Sequence, residues 1–259
     1  MYRRELRVGD RRVLAVDDGE FVMEEGFLNA PGAQQQFAGS DGVARLPIGC
    51  FVVPGDNTTL IDAGLGPKTL GGVLRGGALL DELAVHGFAP EDIACVALSH
   101  LHPDHAGWLA NADGEPVFRN AAVFVGRGDW IAFVEEKTSY LSPKTQRVLV
   151  GLADAGRLTL MDDEQAVAPG ITALPAPGHT PGHTIFVVHD HGERLLILGD
   201  AMYCPQQLTD IDLAAMHDID KELARRTRSL IQRDLDTHGS LAIGCHFPGL
   251  NAARVLGGT

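Results

Sequence analysis

The sequence predicts an α/β (α+β) fold in which two mixed β-sheets pack face to face with helices outside. Short runs rich in Val, Ile and Leu, each bounded by turn residues, dominate both halves of the chain. Strand-loop-strand units near residues 49–62 and 184–199 are too closely joined for crossovers and read as hairpins, which speaks against a purely parallel doubly wound sheet. Helical periodicity is interspersed between strands, and one sheet from each half of the chain accommodates that order.

In chain order the strands fall near 49–53, 58–62, 93–99, 121–125, 171–174, 184–189, 194–199 and 241–244. A helix over 78–86 places Leu79, Leu80 and Leu83 on one face. A second begins at Ser142-Pro143, an N-cap followed by proline at the first helical position, and ends at Gly156. The third runs over 220–237, where Leu223, Thr227, Leu230, Ile231 and Leu235 recur at helical spacing, its charged side faces water and Gly239 supplies a stop. Residues 26–42 and 64–77 are Gly-rich and read as long loops, a class that is usually functional or mobile. Neither holds a P-loop or dinucleotide fingerprint.

With 259 residues, the chain is expected to be a single domain over 1–259, long enough to bury a large core without staples. Lys plus Arg number 21 against 34 Asp plus Glu, a formal charge of −13, with 45% hydrophobic residues. That balance argues against disorder, and it argues against nucleic acid or an anionic membrane as partner because phosphate binding needs clustered cations. No window approaches a membrane span or a signal peptide, so a cytoplasmic protein is expected. Cys50, Cys95, Cys204 and Cys245 form no C-x-x-C pair and read as buried thiols.

The chemistry concentrates in His100-Leu101-His102-Pro103-Asp104-His105, directly after an apolar strand. In an extended stretch His100 and His102 project to one side and can reach one cation, while the turn at Pro103 can present Asp104 and His105 to a second. Three further segments sit beside strands: Gly178-His179-Thr180-Pro181-Gly182-His183, Leu198-Gly199-Asp200-Ala201, and Gly244-Cys245-His246-Phe247-Pro248-Gly249.

This set of motifs, with Asp62 in Leu60-Ile61-Asp62-Ala63-Gly64, resembles the metallo-β-lactamase-fold hydrolases over most of the chain. The fold implied is their four-layer αβ/βα sandwich. The resemblance implies one metal held by His100, His102 and His179, a second held by Asp104, His105 and His246, and Asp200 bridging the two. His183 is assigned packing or hydrogen bonding instead, and Asp62 the orientation of a ligand imidazole. His86, His189, His191, His217 and His238 read as surface histidines, and Cys245 as a core residue pointing away from the ligand beside it. A nitrogen and oxygen donor set makes zinc the default for the two divalent ions, with iron, manganese or cobalt as alternatives.

The implied activity is that of a dinuclear metal-dependent hydrolase acting through a metal-bridging hydroxide, with Asp104 steadying it by hydrogen bond. Leu101 and the segment around His246 depart from glyoxalase II, Asp200 departs from true metallo-β-lactamases, and His102 stands where flavodiiron proteins carry glutamate. Closest in pattern are quorum-quenching N-acyl-homoserine lactone lactonases and phosphotriesterases of the methyl-parathion-hydrolase type. Tyr203 matches a position at which the lactonases carry a tyrosine that hydrogen-bonds the substrate carbonyl. The reading is therefore a lactonase on a small-molecule lactone or ester, with the phosphotriesterase, a thioester hydrolase and a non-catalytic metal-binding module as alternatives. Frequent dimers among the relatives favour a homodimer. Met23, Phe27, Leu28, Phe37, Trp108, Trp130 and Phe133 are candidates either for an apolar substrate channel or for core.

Overall fold

The computed structural model of the protein describes residues 4–136 and 141–254. Its first sheet is built from β1 (Arg4–Val8), β2 (Arg11–Val22), β3 (Arg45–Val53), β4 (Thr59–Ile61), β5 (Thr69–Leu70), β6 (Leu74–Gly76), β7 (Cys95–Ala97), β8 (Ala122–Gly126) and β9 (Leu158–Met161). Spatial order is β5-β6-β2-β3-β4-β7-β8-β9, with β1 on β2. The second sheet runs β10 (Gln165–Ala168), β11 (Ile171–Pro175), β12 (Thr184–Asp190), β13 (Glu193–Ile197) and β14 (Leu241–Ile243) in sequence order. Both are mixed: β4, β7, β8 and β9 pair in parallel, as do β13 and β14, whereas the remaining ladders are antiparallel.

Helices α1 (Leu79–Val85), α2 (Pro103–Ala106), α3 (Arg127–Trp130), α4 (Pro143–Asp154) and α5 (Lys221–His238) complete the layers. Strand alternation divides the apolar side chains between them. Val13, Ala15, Phe51 and Val53 meet Phe186, Val188, Leu195 and Ile197 between the sheets. Their neighbours Leu14, Val16, Cys50 and Val52 turn outward onto Leu79 and Leu83 of α1 and Leu149 and Leu152 of α4. On the far side Ile185, Val187 and Leu196 pack against Ile231 and Leu235 of α5. The order is thus helix, sheet, sheet, helix.

Several segments depart from the sequence-based expectation. Strand β2 went unrecognised because Asp17-Asp18-Gly19 reads as a turn; the ladder to β3 shifts register between Asp17 and Glu20, so the strand bends through that tripeptide. Residues 64–77 hold the hairpin of β5 and β6 instead of a bare loop. Its conformation is set by Asp18, a buried carboxylate whose Oδ2 accepts from the N–H groups of Leu65 and Gly66 at 2.7 and 3.1 Å. Oδ1 accepts from Gly77 and Leu79 and, at 2.7 Å, from the indole of Trp108. Trp108 is therefore a brace between the hairpin and the segment after α2.

Residues 26–42 fold back on residues 212–216. Leu28 bridges Ala215, Phe27 accepts from Met216 N, and the Asn29 side chain donates to Asp212 O while accepting from Ala214 N. Phe27, Leu28 and Met23 consequently join Tyr203 in a third apolar cluster, above one end of the sheets.

Helix α5 also turns differently from the pattern. Ala224, Thr227, Arg228, Ile231 and Leu235 are buried, while Leu230 is 59% exposed. The buried stripe passes through Arg228, which no hydropathy count would place inside. Leu230→Ala is accordingly expected to change unfolding free energy by less than about 0.5 kcal/mol. Ile231→Ala should cost about 2–5 kcal/mol, and denaturant unfolding of the two variants side by side would compare them.

Candidate metal centre

Strands β11, β13 and β14 run in the same direction, so the loops after them open at one edge of the second sheet. Those loops carry His179, Asp200 and His246, and the turn after β7 in the facing sheet carries His100, His102, Asp104 and His105. Pro103 opens α2 with His102 as the residue before it, which puts Asp104 and His105 on a helical turn, away from the extended His100 and His102. Gly199 makes the approach of the two sheets close enough: its φ is +51°, and a Cβ there would lie 2.6 Å from the Ser99 Cβ and 2.8 Å from His183 Nε2.

All seven side chains named from the sequence come together. His100, His102 and His179 form one group with ligand atoms within 4.8 Å of one another, and Asp104, His105 and His246 form another. Asp200 lies between them. Its Oδ1 is 3.3 Å from both His105 Nε2 and His246 Nε2, while Oδ2 is 3.7 Å from His179 Nε2 and 3.9 Å from His100 Nε2. Asp104 Oδ2 is 3.5 Å from His246 Nε2 and 3.7 Å from His105 Nε2.

The outward nitrogens are occupied, which dictates where the inward lone pairs point. His105 Nδ1 faces Asp62 Oδ2 at 2.9 Å, His246 Nδ1 donates to Pro47 O at 2.7 Å, and His179 Nδ1 faces Asp218 Oδ1 at 3.3 Å. Ser99 Oγ gives its single hydrogen to Asp62 at 2.8 Å, so at 3.0 Å from His100 Nδ1 it accepts. Each of these four rings therefore directs Nε2 into the shared space. There, His100 Nε2, His105 Nε2 and Asp200 Oδ1 are buried with no hydrogen-bond partner. Buried polar atoms are rarely left so, and a nitrogen and oxygen cluster whose converging atoms lack partners fits divalent cations, which would displace any proton held there.

Electrostatics divides the cluster. Burial first, and neighbouring imidazoles second, hold His100 well below the ordinary histidine range and His102 down to about 3. For His105 and His246 burial pulls the same way but is outweighed by Asp200 and Asp104, so His105 stands well above the usual value and His246 is pushed up to about 10. Burial opposes ionisation of Asp104, yet His105 and His246 bring it down to about 2.

His183 sits under the site with Nε2 accepting from Asp200 N at 3.1 Å, so that nitrogen supports the loop and is not presented to the cluster. Cys245 does not simply point away: its buried thiol donates to Asp62 Oδ2 at 3.1 Å. Tyr203 stacks on His246 with ring centroids 5.1 Å apart and planes at 5°, and Phe27 packs edge-on against it. Burial, and then Asp200 within hydrogen-bonding reach of the hydroxyl, push the phenol well above its usual value. Phe133 lies 5.9 Å from His102, whereas Met23, Phe27 and Leu28 are buried in the cluster with Tyr203.

Sequence reasoning missed three carboxylates. Asp129 accepts from Leu101 N, Thr180 Oγ1 and Gly182 N, tying together the two histidine loops. Asp18 and Asp218 act at similar range. No motif marks them; the one available signal for Asp218 is a second aspartate just ahead of the Asp220 N-cap.

Residues 45–237 match the family profile of the Metallo-beta-lactamase superfamily. An N-acyl homoserine lactonase of Bacillus cereus is 30% identical over 125 residues, which is 48% of this chain and 44% of that relative, so the match spans less than half of the relative's length. Among solved structures, the hydrolase AbOPH of the beta lactamase superfamily superposes with a TM-score of 0.84 at 24% identity, covering 99% of this chain and 94% of the other. AidC, a dizinc quorum-quenching lactonase in complex with a product, gives 0.81 at 22% identity, over 97% and 92%.

A histidine raised in the folded protein contributes stability that is complete below its ordinary value of 6.5 and is lost as pH rises through the folded value, about 10 for His246. Protein stripped by chelator is therefore expected to melt at progressively lower temperature from near-neutral to alkaline pH. A divalent cation taken up by these nitrogens would displace the same protons, so loading with zinc near neutral pH is expected to release them, with binding heats that vary with buffer ionisation enthalpy. Loading heats independent of the buffer would contradict this charge assignment.

Proposed function

This chain belongs to the metallo-beta-lactamase superfamily of metal-dependent hydrolases, and from that premise we propose that it opens a lactone ring, of the N-acyl-homoserine lactone class, at a centre of two zinc ions. The observation that carries the reading is Tyr203: buried, stacked on His246 and within reach of Asp200, it sets one phenolic O–H against the cluster. The lactonase relative supports the same substrate class.

His100, His102 and His179 would hold one ion, and Asp104, His105 and His246 the other, with one Asp200 oxygen facing each group. Ions held there would supply a water of lowered pKa and polarise the electrophilic carbonyl. Asp104, kept ionised by His105 and His246, accepts a hydrogen bond from the attacking water and orients its lone pair. Tyr203, kept protonated by burial and Asp200, donates to the lactone carbonyl oxygen as negative charge develops on it. Water adds to the carbonyl carbon and gives up a proton, the ring C–O bond breaks, and the departing alkoxide takes up that proton to leave a hydroxy acid. A formal charge of −13 supports a small neutral substrate over nucleic acid.

Metal analysis combined with initial rates on a homoserine lactone, a γ-lactone, a paraoxon-type triester, S-lactoylglutathione and a cephalosporin tests the proposal. Two zinc ions per chain and lactone opening far ahead of the other substrates are expected. Tyr203→Phe should lower lactone kcat on the order of 10²-fold, the scale for loss of one donor to a developing oxyanion. Dominant triester cleavage with Tyr203 dispensable would replace the lactonase reading by the phosphotriesterase one. Asp104→Asn that keeps both metals and full turnover would remove the role given to that carboxylate.

A further inference from the structure

Among the described residues Arg228 is the largest fully buried side chain, in the middle of the inner face of α5. Removing a guanidinium from water costs several kcal/mol unless it is paired, so its partners show what it is for. Arg228 Nη1 is 2.9 Å from Asp218 Oδ2, and Nε donates to Ile211 O at 3.0 Å. The other oxygen of Asp218 faces His179 Nδ1 at 3.3 Å. Both side chains of the ion pair are 1% exposed.

The backbone around this contact is equally tied. Ile219 N donates to His179 O and Asp220 N to Gly178 O, so residues 219–220 run alongside the ligand loop. Thr227 Oγ1 donates to Pro177 O at 2.6 Å. A Cβ at Gly178, where φ is +134°, would lie 2.2 Å from Ala224 N, so the first turn of α5 rests directly on the loop.

We propose that Arg228 and Asp218 form a positioning pair for His179, and through it for one of the two metals only. Asp218, held by the fixed guanidinium, accepts the Nδ1 proton of His179 and thereby selects the tautomer whose Nε2 lone pair faces His102 and Asp200. Arg228 is the buried charge that keeps the acceptor in place. His105 and His246 are anchored separately, on Asp62 and Pro47 O, so the Asp104 group does not depend on this pair.

The inference rests on the two-metal reading, and zinc binding tests it without reference to turnover. Zinc per chain and the two chelator-competition affinities are measured for the wild type, Asp218→Asn, the double variant Asp218→Leu/Arg228→Met, and Thr227→Val. The double variant replaces a buried ion pair by apolar side chains, a change that is often neutral or stabilising for the fold. Both Asp218 variants are expected to keep one zinc at wild-type affinity and to bind the other about 10–100-fold more weakly, the range for losing a ligand's outer partner. Thr227→Val, which loosens the same helix from the same loop without touching Asp218, should leave both affinities unchanged. In a His102→Ala background, Asp218→Asn is expected to produce no further loss of zinc. Two zinc ions at wild-type affinity in the Asp218 variants, equal weakening of both ions, or the same selective loss in Thr227→Val would each overturn the pairing. A wild type that binds fewer than two zinc ions overturns the two-metal reading itself, a separate result.

Discussion

The Asp62 carboxylate is the point at which the two sheets and the histidine turn are joined. It lies just past β4 with φ at +60°, a conformation aspartate tolerates better than most residues. From there Oδ1 accepts from Ser99 N and Oδ2 from Ser99 Oγ, His105 Nδ1 and Cys245 Sγ. Those donors belong to the end of β7, to α2 and to the turn after β14. One fully buried anion thus sets the separation of the facing sheets at the edge where their loops meet. Any change in its position would move His105 directly and His100 through Ser99.

The rest of the centre follows from the same requirement, that charge taken out of water must be compensated where it stands. Asp104 and Asp200 face His105 and His246, and these two imidazoles take up positive charge, while burial and neighbouring imidazoles keep His100 and His102 neutral. The compensation is incomplete at three atoms, His100 Nε2, His105 Nε2 and Asp200 Oδ1. Divalent cations would complete it, and the arrangement that makes the cluster tolerable inside the protein would then also define its affinity for metal.

Around this centre the outer carboxylates divide the work by element. Asp129 ties the His100 turn to the His179 loop, Asp18 ties the β5–β6 hairpin to Trp108 beyond α2, and Asp218 ties α5 to His179. Each reaches across layers of the fold, so packing of the helices and precision of the ligands are one property. The cap of Met23, Phe27 and Leu28 over Tyr203 belongs to the same scheme, because its bridge to residues 212–216 ends two positions before Asp218.

The sequence by itself determined the donor set. His100, His102, Asp104 and His105 are neighbours in the chain, and local geometry alone makes them diverge toward two groups; the loops of His179, Asp200 and His246 carry equally compact patterns. It also determined most of the strands and the longer helices, the hairpins of β3 with β4 and of β12 with β13 among them, but not the short strands β1, β9 and β10. Tertiary structure decided what depends on partners far away in the chain. Strand β2 is continuous because β3 and β6 pair with it across an irregular tripeptide, and α5 buries Arg228 and exposes Leu230 because Asp218 waits on the inner side. Asp18 and Trp108 meet over 90 residues of chain, and Cys245 reaches Asp62 over 183. A hydrogen bond of that span leaves no periodic trace, since its two ends are selected by the direction of a side chain in the folded protein and not by spacing along the chain.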